Sequence, residues 1–320
     1  MLTGSPRVGP GPAGVTRADA VALSARRERH CVRSPTVIRV TDAPSRTQID
    51  KLGQRLARPS YHATTDDLTL LEQFRAEHSE PLRKASEALR SLGLQPTSRT
   101  KTTGTIVDKL RREHPMRLTQ MEDIAGLRVV VEMTRDTQDE LVQRILAALP
   151  EGAKAKDRRV HPSHGYRAVH VVARVAGHQV EIQVRTRLQD LWAQMMERLA
   201  DSWGRQIRYG QAPSHPSERI AVDVTRSHVV GLLLSVSDRI DRVERGQVSV
   251  ERWEASLEQL SRAGQNYIDE LLGDEAISIA EHTTEVVKAR REVSEGEAEV
   301  RGLLQQLDTL LHKIERGTIT

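Results

Sequence analysis

The 320-residue sequence predicts an α+β fold, with a mixed sheet of about five strands surrounded by helices and an all-helical C-terminal extension. Two observations predict the sheet. Residues 180–185 alternate apolar and polar side chains, as a strand with one buried face does. Residues 126–132 form a second, strongly apolar strand pattern. Apolar residues at helical spacing before, between and after these segments predict the helices.

The N-terminal residues 1–46 are rich in Gly, Pro, Ser and Arg and lack apolar periodicity, so we expect a disordered extension there. Three amphipathic helices are predicted next, because apolar residues recur every three or four positions. These runs are Ile49, Leu52 and Leu56; Leu68, Leu71 and Phe74; and Leu82, Ala85, Leu89 and Leu92, the last ending at Gly93.

Basic side chains and a helix start coincide in residues 98–113. Arg99 and Lys101 precede a predicted helix that carries Lys109, and Thr105 belongs to the threonine-rich stretch that can cap its first turn. Free N–H groups beside cations suit an anionic ligand. A solvated basic helix end is the simpler alternative that the segment leaves open.

The apolar strand over residues 126–132 contains one arginine, Arg128, and Asp123 lies just before it. A guanidinium in such a run is costly unless it reaches a partner or a ligand, so Arg128 is a candidate site residue. Helical periodicity then predicts a helix over residues 136–149, and Pro150 ends it.

Residues 154–162 are predicted to form a basic loop that brings Arg158 and Arg159 beside Tyr166. Tyr166 and His170, four residues apart, are expected on one face of the first strand of a hairpin that spans residues 164–186.

The second strand of this hairpin follows a turn at Ala176-Gly177 and places Glu181, Gln183 and Arg185 on one face. A carboxylate, an amide and a guanidinium on one surface indicate a site. A solvated outer sheet face is the alternative explanation.

Pro213 and Pro216 mark a break after a strong helix, so we predict a domain over residues 47–212 and a helical region over 213–320. Two helices are predicted over residues 220–243 and 253–271. In the last helix a heptad seam is formed by Val286, Val293, Val300, Leu307 and Ile314, with Ala289, Leu303 and Leu310 as the second set. This seam predicts a left-handed supercoil with a preceding helix or with a second subunit as a homo-oligomer.

Composition excludes several protein classes. The net charge of +4 is too small for bulk polyanion binding, although a local basic pocket is compatible with it. Cys31 is the only cysteine, so there is no intrachain disulfide and no thiolate metal site. No signal peptide or membrane-spanning segment is evident, and we expect a cytoplasmic protein.

Four segments together resemble the RelA/SpoT nucleotidyltransferase domain, of the small alarmone synthetase type. They are SRTKTTGTIVDKL from residue 98, EDIAGLRVV from 122, HGYRAVH from 164 and VEIQVRT from 180, in the order and approximate spacing of that family. The resemblance covers about residues 48–208. It implies transfer of the β,γ-pyrophosphate of ATP to the 3′-hydroxyl of GTP or GDP, which makes AMP and (p)ppGpp.

The resemblance also implies residue roles. Asp123 would bind the catalytic Mg²⁺, and Glu181 would bind the metal or activate the attacking 3′-hydroxyl. The remaining roles concern the two nucleotides: Arg99 and Arg128 would sandwich the adenine of ATP, with Lys101, Thr105 and Lys109 on its phosphates, and Tyr166 would stack on the acceptor base, with His170, Gln183 and Arg185 in the same pocket. Two carboxylates are a normal Mg²⁺ allotment, because the ion keeps waters and substrate phosphates as its other ligands.

One stretch departs from the family pattern. Where the family reads DYI, PK and NGY ahead of the tyrosine, this chain has Asp157-Arg158-Arg159, Pro162-Ser163 and His164-Gly165, one residue shorter. The acceptor therefore stays open: Arg158 and Arg159 would hold either the phosphates of GTP or GDP, or a tRNA 3′ end as in toxic relatives. A non-catalytic nucleotide-binding regulatory module is a third alternative.

Overall fold

The computed structural model describes residues 44–265 and 274–316. The helices are α1 (Arg46–Leu56), α2 (Thr65–Ala76), α3 (Ser79–Ser91), α4 (Thr103–Arg112), α5 (Arg135–Ala148), α6 (Arg187–Trp203), α7 (Arg226–Gln265) and α8 (Asp274–Glu315). The strands are β1 (Thr97–Thr100), β2 (Ala125–Val131), β3 (Lys154–Asp157), β4 (Val169–Val175), β5 (His178–Thr186), β6 (Arg219–Ala221) and β7 (Val224–Thr225). Most of the predicted disordered extension, residues 1–43, lies outside the described residues.

A mixed five-stranded sheet forms the centre of the fold, as the sequence predicts. Its strand order is β1-β2-β5-β4-β3, and only the β2–β5 pair within it is parallel. Strands β6 and β7 form a separate two-stranded ribbon. The predicted α+β class is therefore confirmed.

The β4–β5 hairpin has the predicted turn, in which Ala176 and Gly177 both adopt positive φ, 45° and 88°. Two consecutive residues with positive φ are typical of the type I′ turn, which matches the twist of paired strands. The first strand begins later than expected, at Val169. Tyr166 lies in the preceding loop, where its N–H donates to the Ser163 carbonyl over 3.0 Å.

The predicted loop over residues 154–162 begins instead with strand β3, which pairs antiparallel with β4. All four residues of β3 are exposed. A strand without a buried face shows no alternation of apolar and polar residues. The prediction of a loop over all of residues 154–162 was therefore wrong for the part that forms β3.

Three apolar cores hold the chain together. The first lies between one face of the sheet and helices α3 and α5, and it contains the buried Leu127, Ile182 and Leu89. The second joins α1, α2 and α4. The third joins α6, α7 and α8 around residues such as Trp203 and Leu233. The opposite sheet face stays free for polar side chains. The domain boundary at residue 213 stays a prediction.

Helix α7 is one continuous helix where the sequence predicts two. The part of the predicted second helix beyond residue 265 lies outside the described residues. Helix α8 runs antiparallel to α7, since Gln247 Nε2 donates to Glu297 while Arg290 pairs with Glu254. The helices approach closely at Gly246, where an added Cβ would lie 2.7 Å from Val293 Cγ2.

The buried stripe of α8 follows the predicted seam only in part. Leu307 is buried as predicted, but Leu304 and Leu311 are buried where Leu303 and Leu310 were expected to be. Because α8 contacts α6 as well as α7, its buried stripe is rotated toward the neighbouring positions. Its described partner helices belong to the same chain, whereas the supercoil and the homo-oligomer stay predictions.

Across the two described ranges, we find no helix that is both long enough and apolar enough to traverse a lipid bilayer.

Candidate active site

A cavity of about 350 Å³ lies between the polar face of the sheet and α6. Charged and aromatic side chains from both sides form its wall. These are Arg99, Lys109, Arg112, Glu113, Asp123, Arg158, Ser163, His164, Tyr166, His170, Glu181, Gln183, Arg185, Trp192, Ala193, Met196, Glu197, Arg208 and Tyr209. A cavity of this size, with many convergent polar groups, is a natural candidate for a ligand site.

Strand register brings the polar side chains of neighbouring strands into rows. Glu181 on β5 pairs with Gly126 on β2, and Gly126 pairs with Arg99 on β1. Gln183 pairs in the same way with Arg128. Residues paired across a sheet share a face, so one sheet face carries both predicted donor-side arginines and the predicted catalytic glutamate.

Asp123 is held by two lysines. Lys101 Nζ lies 2.6 Å from Asp123 Oδ2, and Lys109 Nζ lies 3.0 Å from Oδ1. Burial by itself would raise the pKa of Asp123, but the positive charges of Lys101 and Lys109 outweigh burial and lower it. The carboxylate is therefore ionised over a wide pH range.

Glu181 is held by an imidazole and an amide. His170 Nδ1 lies 2.8 Å from Glu181 Oε1, and Gln183 Nε2 donates to Oε2 over 3.1 Å. Burial would raise the pKa of Glu181, but the hydrogen bond and charge of His170 lower it below its ordinary value. The side chain is thus an ionised, oriented carboxylate at the cavity wall.

The network continues from His170 to Tyr166 and Arg185. The Tyr166 hydroxyl lies 2.8 Å from His170 Nε2 and accepts a hydrogen bond of 3.0 Å from Arg185 Nη2. Burial raises the pKa of Tyr166, so this phenol stays neutral. Asp190 accepts from Arg185 Nη1 over 3.0 Å and balances its buried charge. These bonds fix Tyr166 although it lies outside the strand.

Glu197 of α6 joins the two arginines that the sequence placed on the donor side. Its Oε1 lies 2.8 Å from Arg99 Nη1 and 3.6 Å from Arg128 Nη2. Arg128 also lies 3.6 Å from Asp190. Burial, followed by the like charge of Arg185, lowers the pKa of Arg128. The two carboxylates compensate for much of that cost.

The predicted site residues fall into two groups in the structure. Most of them line the cavity: Arg99, Lys109, Asp123, Arg158, Tyr166, His170, Glu181, Gln183 and Arg185. The others do not belong to its wall. Among these, Lys101 bonds Asp123 and Arg128 faces Glu197. Thr105 bonds Thr102 at the start of α4. The catalytic and binding roles of all these residues stay predictions.

Arg159 departs most from its predicted position. Its guanidinium is buried away from the cavity, paired with Asp157 over 2.7 Å and with Asp139 over 2.5 Å. The Gln138 side chain accepts a further hydrogen bond. The expected position of Arg159 beside Tyr166 is therefore corrected, whereas its role in acceptor binding stays a prediction that this pairing with two carboxylates does not favour.

Two acidic residues of α6 in this site were missed from the sequence. Glu197 and Asp190 were not among the predicted site residues. Their sequence pattern resembles that of any amphipathic helix, and only the sheet register shows which basic side chains they meet. In the cavity wall, the Arg112 guanidinium lies 3.8 Å from the centre of the Tyr209 ring. No sequence motif predicted this contact.

The residues fit a Mg²⁺ ion by chemical type. Asp123 and Glu181 line one cavity and offer hard carboxylate oxygens, which this ion prefers. Among the described residues, no group of three or more His, Cys, Asp or Glu side chains is arranged to hold a metal. An ion here would therefore depend on water and on a ligand's phosphates, and it would compete with the lysines for Asp123.

Comparison with protein families matches residues 98–201 to a region found in RelA/SpoT proteins. The chain is also 40% identical, over 143 residues, to uncharacterized proteins of Mycobacterium bovis and of Mycobacterium tuberculosis. Each of these matches covers 44% of this chain and 51% of the relative. The chain thus spans about half the length of the curated relatives it matches.

Among solved structures, the chain is similar to the small alarmone synthetase 1 from Bacillus subtilis. The identity is 23%, the TM-score is 0.39, and the match covers 57% of this chain and 97% of that chain. The same protein bound to its product pppGpp matches with 20% identity and a TM-score of 0.40, over 58% of this chain and 99% of that chain.

Proposed function

We propose, from the match of residues 98–201 to a region found in RelA/SpoT proteins, that this chain transfers the β,γ-pyrophosphate of ATP to the ribose 3′-hydroxyl of GDP or GTP. The products are AMP and a (p)ppGpp-type alarmone. One observation carries the proposal: the carboxylates Asp123 and Glu181 line the same cavity as several basic side chains. Phosphoryl-type transfer depends mainly on positioning and charge neutralisation, and this cavity offers both.

On the donor side, Arg99 and Arg128 lie beside each other on neighbouring strands and are both bound to Glu197. Guanidinium planes stack well on flat rings, so this pair would hold the adenine. Lys101 and Lys109 would then move from Asp123 to the phosphates, which explains why two cations surround one carboxylate. Thr105 at the start of α4 would contribute a hydroxyl.

On the acceptor side, Tyr166 would stack on the base. His170 and Arg185 bond the tyrosine hydroxyl, Gln183 accepts a hydrogen bond from Arg185, and the three would complete that pocket. Arg158 is exposed and lines the cavity, so it would meet the acceptor's 5′ phosphates. Arg159 has no part in this proposal.

Glu181 is the proposed general base. Its lowered pKa keeps it ionised, so it can accept the proton of the 3′-hydroxyl as that oxygen bonds to the β-phosphorus of ATP. The bond between this phosphorus and the oxygen retained by AMP breaks in the same step. Bound Mg²⁺ would neutralise phosphate charge, and Asp123 and Glu181 are the residues that would hold it.

A second acceptor is favoured by one observation. Arg112, Arg158 and Arg208 all line the cavity, and such a cluster also suits a polynucleotide backbone. A tRNA 3′ end is therefore the second candidate, after free GDP or GTP. A cytoplasmic location is part of the proposal.

The test is AMP release from ATP and Mg²⁺ in parallel reactions with GDP, GTP and tRNA. We expect AMP with a guanine nucleotide and a loss of at least about 100-fold for Glu181→Gln, because the amide cannot accept the proton. Glu140→Gln on the exposed face of α5 is the matched control for the lost charge. Labelled phosphate on tRNA alone would select the second candidate. Wild-type turnover by Glu181→Gln, or no AMP with any acceptor, contradicts the proposed chemistry and favours a non-catalytic binding module.

A further inference from the structure

Glu197 differs from the other acidic residues around the cavity in how its two oxygens are used. Oε1 lies 2.8 Å from Arg99 Nη1, to which it is hydrogen-bonded, and 3.6 Å from Arg128 Nη2. Among the described residues, no side chain donates a hydrogen bond to Oε2. The side chain lines the cavity with 31% of its surface exposed. Glu197 therefore has one acceptor atom that is free to meet a ligand.

A purely structural role explains this arrangement poorly. Arg99 is 48% exposed, and an ion pair with so exposed a partner contributes little to stability. Asp190 shows the contrast, because it is 3% exposed and bonds the buried Arg185 directly. Asp190 is thus the structural carboxylate of this helix, whereas Glu197 stands at the cavity.

The position of Glu197 relates it to the edge of a stacked ring. Arg99 and Arg128 extend from adjacent strands on one sheet face, and Glu197 reaches them from α6, across the cavity. A flat base held by the two guanidiniums would present its rim, and not its face, to the carboxylate. The carboxylate accepts hydrogen bonds and donates none, so it favours a rim with an N–H group.

We propose that Glu197 determines which purine the donor site accepts, by receiving a hydrogen bond from an exocyclic amino group at C6 of the base. This inference rests on the proposed function, in which the donor purine lies between Arg99 and Arg128. Adenine carries an amino donor at C6, while guanine and hypoxanthine carry a carbonyl acceptor there. Facing C6, the carboxylate would accept a hydrogen bond from the amino group of adenine and would oppose the carbonyl oxygen of the other two bases, so the donor site would favour adenine.

The test compares donors that differ only at C6, with GDP as the acceptor and release of each donor's monophosphate as the readout. ATP has the amino group, purine riboside triphosphate has hydrogen, and ITP has the carbonyl. For the wild-type protein we expect kcat/KM for ATP to exceed that for purine riboside triphosphate by roughly 10- to 100-fold, the usual effect of a hydrogen bond to a charged group. For Glu197→Ala we expect a ratio near one.

Glu197→Gln sharpens the test, since its amide can donate a hydrogen bond to a carbonyl. We expect this variant to use ITP better than the wild type does, while its use of ATP falls. Glu87→Gln removes the same charge from an exposed helical ion pair on α3 and should leave every donor ratio unchanged. Circular dichroism checks that each variant is folded. If a variant does not fold, the comparison of donors with the wild-type protein still tests the proposal.

Several outcomes would overturn the inference. These are a wild type that does not discriminate at C6, or a Glu197→Ala variant that loses activity equally with ATP and with purine riboside triphosphate, as a simple positioning residue would. If the wild type releases no AMP with any acceptor, the proposed function fails separately. Calorimetric binding of ATP and purine riboside triphosphate then decides, because equal affinities contradict a role for Glu197 in base selection.

Discussion

His78, between α2 and α3, is a buried histidine with 3% of its surface exposed. Its Nδ1 lies 2.8 Å from the Phe74 carbonyl oxygen, and its ring contacts those of Phe74 and His178 at centroid distances of 4.8 and 4.6 Å. Burial lowers its pKa from 6.5 to about 4, and the hydrogen bond to Phe74 only partly offsets that effect. Glu77 is the acidic group nearby, paired with His178 at 4.0 Å.

We predict that His78 makes the protein less stable in mild acid. The folded pKa of about 4 lies below the ordinary 6.5, so between these values the unfolded chain takes up a proton that the folded chain does not. The contribution of neutral His78 to the free energy of unfolding is therefore fully present above about pH 6.5. It falls as the pH drops, by about 1–2 kcal/mol between pH 7 and 5. Urea unfolding at both pH values measures this. His78→Gln should reduce the loss of unfolding free energy between pH 7 and 5, and His62→Gln on the surface should not. An equal loss in the wild type and both variants would refute the prediction.

Residue by residue, the sequence was most informative where a motif and a strand period coincided. Glu181 could be found because alternation in β5 fixed its face and the flanking segments resembled one family. Arg159 was misplaced, since a loop sequence does not show which of two adjacent arginines turns toward Asp139 and Asp157. Glu197 was undervalued for a similar reason: its partners lie about 70 and 100 residues away along the chain.

At the scale of elements, α7 fixes the loop that carries Tyr166. Ser237 on α7 donates to the Gly165 carbonyl over 2.5 Å and accepts from Arg167 Nε over 3.1 Å. Arg167 Nη1 also lies 3.1 Å from Asp241, one turn further along the helix. These polar bonds tie the loop to α7.

We predict that Ser237→Ala destabilises the protein by about 1–3 kcal/mol, because it leaves the buried Arg167 Nε and the partly buried Gly165 carbonyl without their partner. Thermal unfolding measures the cost, and weaker binding of the acceptor should accompany it if the loop loosens. Ser235→Ala is the matched control two residues away, since that hydroxyl is exposed and bonds only the Leu232 carbonyl of its own helix. Equal melting temperatures for the two variants would contradict this role of Ser237.

Helices and buried strands were predictable because their apolar periods are strong, and α1, α3, α4 and α5 begin or end within a few residues of the prediction. Strand β3 was not, since it has no buried face. The break expected between residues 243 and 253 was also absent, because α8 packs along the glycine at 246 and supports the helix there. In each case tertiary contact overrode the local pattern.

At the scale of the molecule, α6 belongs to two parts at once. One side of this helix forms a wall of the cavity, and the other side packs into the core shared with α7 and α8. Trp192 marks the junction: its ring lines the cavity while its Nε1 donates to the Leu233 carbonyl over 2.6 Å. The cavity wall that α6 forms is thus supported by its packing against α7 and α8.

We predict that a chain ending at residue 212 does not fold cooperatively. Its α6 would expose an apolar face that includes Met195, Leu199 and Trp203, a patch that soluble monomers rarely tolerate. Loss of a sharp thermal transition and strong binding of a hydrophobic dye are the expected observations. A chain ending at residue 316, which retains all described helices, is the control. A sharp transition for the shorter chain would instead establish residues 47–212 as an independent domain.

The general architecture was accessible from the sequence, whereas the way its parts share a core was not. The heptad pattern of α8 indicated a helical partner but did not distinguish α6 from α7 or from another subunit. Both helices contact it, which is why Leu304 and Leu311 are buried in place of the expected leucines. A heptad repeat predicts that one face of a helix is buried. Which helices bury that face depends on segments that are distant along the chain.

The outermost strands, β1 and β3, have a consequence for how the molecule behaves at high concentration. Each strand has four residues, all of them exposed, and β3 contains Lys154 and Lys156. Unpaired strand borders invite addition of a strand from another copy, and short strands with charged side chains discourage it. Arg99 thus lines the cavity and also places an exposed charge on the border strand β1, a feature that discourages addition of a neighbouring strand.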